Sequence, residues 1–161
     1  GNLIDEPTAR VMVEHGAFVV PTLVTYDSLR RNGADYGMSR VSLDKNDRVL
    51  DAGKRSLEIY RSAGVKMGFG TDLIGVMQKD QSLEFLIRAE VLSPQEIIRS
   101  ATLVNAEILR RERLLGEIVP GSHADLLVVD GDPYRDLSVL QNEGARIPAI
   151  MLGGRFIKNE L

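Results

Sequence analysis

Along the first 72 residues, amphipathic stretches with helical spacing alternate with short runs in which nearly every side chain is apolar. The first amphipathic stretch predicts a helix that is capped by Asp5, carries Pro7 in its first turn and ends at Gly16. The apolar side of this helix is formed by Ala9, Met12 and Val13. A second stretch, residues 44–63, predicts a longer helix that ends at Gly64. An apolar run follows each helix, as in a chain that alternates helices and strands.

The first apolar run predicts a strand. Residues 17–20 lead into Pro21 and the β-rich residues 22–26, so we predict a strand with a polar end that carries Tyr26. Residues 27–42 contain two glycines and little periodicity. They predict a long loop, of the kind that often forms a lid or a substrate loop. The order of strand, loop, helix and strand favours parallel strands.

The second apolar run, residues 65–72, ends in Gly70-Thr71-Asp72 and predicts a strand that holds Gly68 to Asp72. A strand of an α/β enzyme fixes a carboxylate at its tip, and the loop that follows leaves that carboxylate open to substrate. Asp72 is therefore the leading candidate for a catalytic residue. The alternative is that Asp72 caps the next helix or begins a turn, which is the commoner use of Gly-Thr-Asp taken alone.

The second half of the chain predicts helices followed by strands. Residues 83–89 predict a helix, and Ser93-Pro94-Gln95-Glu96 has the form of a capping box with proline at the first helical position. The helical periodicity that follows resets near Thr102, resumes, and ends at Gly116.

The composition changes after residue 116. Residues 124–130 predict a buried strand, and residues 147–158 predict a hairpin with Gly153-Gly154 at its turn. About the last 45 residues therefore predict a small β unit that follows an α/β unit.

Composition and charge narrow the class of protein. The 161 residues are 43% hydrophobic and 27% charged, which is typical of a soluble globular chain of about one domain. The 20 basic and 23 acidic residues are mixed along the chain, for a net charge of -3, so we expect neither DNA nor RNA as a partner.

Zero cysteines exclude disulfides and thiolate metal sites, and cytoplasm is the default location, although secreted bacterial proteins without cysteine are common. No apolar run reaches the roughly 18 residues needed to cross a bilayer, so no membrane partner is expected.

Polar side chains near the first predicted strand are further candidates. Tyr26 could donate a hydrogen bond to a substrate carbonyl or carboxylate, or could be a half-buried aromatic at a strand end, and we weigh the two equally. Arg30, Arg31 and Arg40 could pair with the carboxylate of a peptide substrate. Solvated loop charges are the more common use of such arginines, so none is singled out.

Neither histidine is a strong candidate for a ligand. His15 precedes Gly16 at a helix end, where an imidazole suits the helix dipole, and a structural role is favoured. His123 lies in the turn Pro120-Gly121-Ser122-His123 and is expected to be exposed. With no third histidine and no cysteine, one copy of these residues cannot assemble a conventional zinc site.

Five motifs in a fixed order carry a family resemblance. They are Gly70-Thr71-Asp72, Ser100-Ala101-Thr102 with Asn105-Ala106, Leu115 to Gly121, Ala124 to Asp130, and Gly153-Gly154-Arg155. The ordered set resembles the C-terminal part of the amidohydrolase superfamily and is more specific than any one motif. Residues 1–5 and 20–26 are most similar to the imidazolonepropionase-like branch, which includes Xaa-Pro and Xaa-Arg dipeptidases. The resemblance covers essentially the whole chain.

The resemblance implies a (β/α)8 barrel with one or two divalent metals, Zn2+ being the expected one, and a flanking β-sandwich built from both chain ends. Residues 1–115 would contribute barrel strands 7 and 8 with their helices, and residues 116–161 part of the sandwich. Of the family's metal ligands only the eighth-strand aspartate maps here, onto Asp72, as metal ligand and proton shuttle. The implied reaction is hydrolysis of a peptide or amide C–N bond by the intact enzyme. This chain would be an incomplete C-terminal fragment that pairs with another copy or with the missing N-terminal part.

Two other functions remain open at this point. A non-catalytic fragment whose exposed strand edges pair with a missing segment or a second copy is the main alternative. A dinucleotide loop is less favoured, because Gly68-Phe69-Gly70 and Gly75 have the wrong spacing and Asp72 would repel a pyrophosphate.

Overall fold

The computed structural model describes residues 2–161 as a mixture of helices and short strands. The helices are α1 Glu6–Glu14, α2 Leu23–Asn32, α3 Arg40–Ala63, α4 Leu83–Ala89, α5 Pro94–Arg99 and α6 Asn105–Ile108. The strands are β1 Phe18–Val19, β2 Lys66–Met67, β3 Leu126–Val128, β4 Ala149–Leu152 and β5 Arg155–Asn159. The chain divides into two compact units, residues 1–92 and residues 93–161. The predicted boundary after residue 115 concerns the barrel and the sandwich of an intact enzyme and stays a prediction.

The first helix forms where its caps predict it. The Asp5 carboxylate accepts a hydrogen bond from the Thr8 backbone N–H at 2.9 Å, and the chain leaves the helix through Gly16 at φ +60°. Ala9 is fully buried and packs with Tyr60 and Val65, so this helix lies against α3 and the start of β2. Val13, which we placed on the apolar side, is 44% exposed instead.

Strands β1 and β2 are parallel, as predicted, and pair Phe18 with Lys66 and Val19 with Met67. Each strand has only two residues. The last ladder bond runs from the Gly68 N–H to the Val19 carbonyl at 2.8 Å. Pro21 has no N–H to continue the ladder, which explains why pairing stops there. The prediction that residues 68–72 form a strand was therefore wrong.

The predicted strand over residues 22–26 was also wrong, because these residues begin helix α2. Thr22 precedes the helix, and Leu23, Val24 and Thr25 in its first turn are all buried. Burial on several sides of one turn outweighs the β propensity of this sequence. The predicted long loop after residue 26 is consequently mostly helical, and α3 begins at Arg40 rather than at Asp44.

In the second unit, the predicted capping box starts α5. The Glu96 N–H donates to the Ser93 hydroxyl at 3.3 Å, and the Ser93 N–H donates to the Glu96 carboxylate at 2.8 Å. The helix continues through a π-helical turn at Ser100–Val104 into α6. This turn is where the helical periodicity resets, so the predicted irregularity near Thr102 is confirmed.

Replacing Ser93 with alanine should lower the free energy of unfolding by about 1 kcal/mol, because the first turn of α5 loses its side-chain acceptor. Ser93→Thr keeps a hydroxyl that can accept from the Glu96 N–H and donate to the Glu96 carboxylate, and should stay within about 0.5 kcal/mol of the wild type. Urea unfolding followed by circular dichroism measures both. An equal loss in the two variants would contradict the capping role.

The second unit also holds an antiparallel sheet in the order β3, β4, β5. The predicted hairpin is confirmed, since β4 and β5 pair across Gly153-Gly154, with Leu152 opposite Arg155. The strand predicted over residues 124–130 is shorter, at Leu126–Val128, and is not buried as expected. Leu127 is 57% exposed and Val128 is 45% exposed. Because consecutive residues of a strand point to opposite faces, both faces of the sheet are partly uncovered at β3 within the described part of the chain.

Candidate active site around Asp72

Asp72 lies five residues beyond the end of β2, on the segment that leads into a 3-10 helix at Gly75–Asp80. Its side chain is exposed, and among residues 2–161 the carboxylate has no hydrogen-bond or ion-pair partner. The backbone is left-handed at this residue, with φ +53°. Aspartate tolerates that region better than most residues, but the conformation persists only where the surroundings enforce it.

The residue after Asp72 anchors the segment in the core. Leu73 is 7% exposed and packs in a cluster with Val24 of α2 and Met77 of the 3-10 helix. Leu83 and Ile87 of helix α4 pack against the same cluster. Asp72 thus faces outward while its neighbour is held by apolar contacts.

A buried ion pair on helix α4 lies beneath this segment. Glu84 and Arg88 are one helical turn apart, are both fully buried, and approach to 2.6 Å between Arg88 Nε and Glu84 Oε1. Arg88 also donates to the Gly68 carbonyl at 2.9 Å and to the Pro21 carbonyl. One guanidinium therefore bonds to the backbone immediately after both strands.

The carboxylate of the pair makes a second backbone contact. Glu84 Oε2 accepts a hydrogen bond at 2.7 Å from the N–H of Val24, in the first turn of α2. Burial raises the pKa of the Glu84 carboxyl, while the Arg88 guanidinium and the Val24 N–H oppose that shift. Burial likewise lowers the pKa of Arg88, and the Glu84 carboxylate opposes it. Each charge is stable in this environment because the other is present.

Close packing continues toward Asp72. The Arg88 guanidinium lies 4.7 Å from the centre of the Phe69 ring, and Phe69 packs on Phe85 with ring centres 4.3 Å apart. A Cβ atom placed on Gly70 would come within 2.8 Å of the Val20 side chain. The segment between Gly68 and Asp72 therefore runs against both α4 and the residue after β1.

The 3-10 helix that follows Asp72 ends at Asp80, which is hydrogen-bonded to polar side chains of helix α2. Asp80 accepts hydrogen bonds from the Ser28 hydroxyl at 3.2 Å and from Arg31 at 3.0 Å. Arg30 and Arg31 also pair with Asp27, each at 2.8 Å. These two arginines, considered above as partners of a substrate carboxylate, are thus engaged within the unit.

Tyr26 is the fourth residue of α2 and not the tip of a strand. Its side chain is half-buried, and its carbonyl accepts a hydrogen bond from the Asn46 side chain at 2.8 Å. Tyr26 and Asp72 belong to the two segments that follow β1 and β2, which meet through Val24 and Leu73. Among the described residues, no hydrogen bond joins Tyr26 to Asp72.

The histidines lie where the sequence predicts. His15 is the C-cap of α1, and His123 is exposed in the turn before β3. Among residues 2–161, no group of three or more histidine, cysteine, aspartate or glutamate side chains is arranged to hold a metal ion. Residues 68–75 lead into the 3-10 helix and not into the α-helix that a dinucleotide loop requires. Across the described residues, every helix is too short or too polar to cross a membrane.

Sequence reasoning missed Glu84 and Arg88. The available signal was a pair of opposite charges four residues apart in the otherwise apolar helix Leu83-Glu84-Phe85-Leu86-Ile87-Arg88-Ala89. Charged residues on an apolar helix are rarely buried without a partner, so the spacing itself indicated an internal ion pair.

The sequence of residues 2–156 matches the model of the amidohydrolase family. The chain belongs to the amidohydrolase family. This confirms the resemblance drawn from the ordered motifs. Members of this family are generally metal-dependent.

Solved structures of amidohydrolases match the whole chain. The protein in one amidohydrolase crystal structure has 56% sequence identity to this chain and superposes with a TM-score of 0.95. The match covers 100% of this chain and 39% of the amidohydrolase. The structure of a prolidase complexed with N-methylphosphonate-L-proline is 53% identical, with a TM-score of 0.94, over 99% of this chain and 39% of that one. These matches show a mixed α/β fold that corresponds to part of each of these longer amidohydrolase chains.

Among characterised relatives, ochratoxinase from Aspergillus niger is 25% identical over 156 residues. That alignment covers 96% of this chain and 32% of the ochratoxinase. This amidohydrolase chain therefore spans about a third of the length of the curated relative and about two fifths of the solved structures.

Proposed function

We propose that this chain is the C-terminal part of a metal-dependent hydrolase of peptide or amide C–N bonds, with a dipeptide ending in proline as the first substrate to test. Support comes from the 53% identity to a prolidase over nearly the whole chain and from the exposed carboxylate of Asp72 beyond a parallel strand pair. In the intact enzyme, β1 and β2 would belong to strands 7 and 8 of a (β/α)8 barrel. Residues 116–161 would form part of the flanking β-sandwich.

The observation that carries this proposal is the geometry of Asp72. Its backbone is held left-handed, its neighbour Leu73 is buried, and its carboxylate has no hydrogen-bond or ion-pair partner within residues 2–161. An acid that is fixed but unpaired is suited to bind a cation and to accept a proton from an attacking water. We assign both roles to Asp72 and propose that Tyr26, on the adjacent segment, contacts the substrate.

The metal fits this chain only as part of a shared site. Among the described residues, Asp72 offers an open carboxylate beyond the strand pair and no cluster of ligands is present, so the remaining donors would come from the rest of the enzyme. A bound Zn2+ would lower the pKa of its water to about 7 and polarise the scissile carbonyl. What this chain supplies is one fixed carboxylate at the site.

The second unit supports an association with other parts of the protein. Large apolar side chains of its sheet are exposed, among them Leu127, Leu152, Phe156 and Ile157. Exposed apolar surface of this kind marks an interaction site. We propose that the N-terminal part of the intact enzyme covers this sheet, and that the isolated chain self-associates when that part is absent.

Changing Asp72 to asparagine in the longer protein should lower kcat/KM for an Xaa-Pro dipeptide by at least about 10²-fold, since a general base contributes about 10²–10⁴-fold. Asp51→Asn, which alters an exposed carboxylate of α3 outside this segment, is the matched control and should retain activity. Metal content, measured by plasma mass spectrometry, should fall in the Asp72 variant alone. Full activity of Asp72→Asn, or no hydrolysis by the wild type, would contradict the proposal.

A further inference from the structure

We propose that Glu84 and Arg88 are positioning residues: their buried ion pair fixes the backbone beyond β1 and β2 and thereby holds Asp72 in its catalytic orientation. The inference rests on the proposed function of Asp72 and extends it to a pair of residues that cannot touch the substrate, since both are fully buried. It follows from three observations on the described residues.

First, Asp72 lies between two anchors that belong to the same helix. On one side, Arg88 bonds to the Gly68 carbonyl and lies over the Phe69 ring. On the other side, Leu73 packs in the cluster that α4 contacts through its apolar residues Leu83 and Ile87. A shift of α4 would therefore move both ends of the short stretch that carries Asp72.

Second, the Asp72 side chain does nothing to hold itself in place. It is exposed and has no partner within residues 2–161, while its backbone occupies the left-handed region at φ +53°. Such a conformation persists only when the surrounding structure over-determines it. The Arg88 contact to Gly68, the close approach of Gly70 to Val20 and the burial of Leu73 all constrain the backbone around Asp72.

Third, the chemistry of the pair is matched to several backbone groups at once. The planar guanidinium of Arg88 reaches Glu84, the Gly68 carbonyl and the Pro21 carbonyl together. Glu84 uses its other oxygen for the Val24 N–H. A lysine ammonium carries the same charge but lacks this fixed fork of donors. Because a buried ion pair is a weak source of stability compared with apolar packing, its value here lies in fixing geometry.

The test separates local order from activity. In the longer protein, ¹⁵N relaxation should give order parameters near 0.85 for residues 70–72 in the wild type and below about 0.6 in Arg88→Lys. Exchange of the Gly68 amide, which donates to Val19, should accelerate at least about tenfold in the variant. Lys54→Gln is the matched control, because it removes the Lys54–Glu90 ion pair at 2.6 Å, which touches neither strand end.

In the longer protein, Arg88→Lys should lower kcat for an Xaa-Pro dipeptide by about 10–100-fold, the range seen when supporting residues of a site are lost. KM should change by less than about threefold, because misplacing Asp72 impairs the chemical step and not the binding of substrate. Glu84→Gln preserves the side-chain shape and the Val24 contact. It should also lower kcat with little change in KM, but by a smaller factor than Arg88→Lys.

Unchanged order at residues 70–72 in Arg88→Lys would overturn the proposal, as would loosened order with unchanged kcat. If Arg88→Lys does not fold, the same two readouts in Glu84→Gln decide the question. A wild-type protein that hydrolyses no peptide or amide would refute the proposed function, while the relaxation and exchange data would still show whether Arg88 orders the Asp72 segment.

Discussion

Replacing Arg88 with methionine is expected to lower the free energy of unfolding of the first unit by about 3–5 kcal/mol, the usual cost of removing one partner of a buried ion pair. Glu84 would remain fully buried without its counter-charge. The Gly68 and Pro21 carbonyls would also lose their donor. The measurement is urea unfolding of the longer protein, followed by circular dichroism.

The double variant Glu84→Leu with Arg88→Met distinguishes the ion pair from simple packing. With both charges removed, no uncompensated charge stays buried, so the double variant should be more stable than Arg88→Met alone. It should not reach the wild type, because the Val24 N–H and two carbonyls lose their partners. A loss below about 1 kcal/mol in Arg88→Met would show that the pair is not closed to solvent.

Replacing Gly116 with alanine is expected to destabilise the second unit by about 2–5 kcal/mol, from backbone strain and overpacking together. Gly116 has φ +80°, and a Cβ atom there would come within 2.6 Å of the Thr102 carbonyl oxygen and 3.2 Å of the Leu103 nitrogen. These are backbone atoms of the π-helical turn, so relief requires movement of the helix itself. Thermal unfolding followed by circular dichroism measures the loss.

Gly154→Ala is the matched control for this prediction. Gly154 has nearly the same backbone angle, φ +79°, but a Cβ atom at this position has nothing within 4 Å. The control should therefore lose only the conformational part, about 1–2 kcal/mol. An equal loss of stability in Gly116→Ala and Gly154→Ala would mean that the close approach of Gly116 to Thr102 does not contribute to the destabilisation.

Elements whose hydrogen bonds close within a few residues could be predicted from the sequence. The cap of α1 joins Asp5 to Thr8, and the cap of α5 joins Ser93 to Glu96, so the residues that start these helices are neighbours in the chain. The hairpin across Gly153-Gly154 is equally local. The ordered motifs were sufficient to identify the family, and they singled out Asp72 as the candidate acid.

The tertiary structure decided what depends on distant partners. Residues 22–26 have strand-like composition, yet they lie at the buried start of α2. Packing of these side chains in the core stabilises the helix by more than the β propensity of the sequence favours a strand. The pattern of apolar residues likewise did not predict that strand pairing ends at Pro21 or that the backbone of Asp72 is left-handed. Arg88 meets Pro21 across 67 positions and Glu84 meets Val24 across 60. The identity of the candidate acid was thus a property of the sequence, whereas the groups that hold it in place were set by packing, because their contacts join segments that only folding brings together.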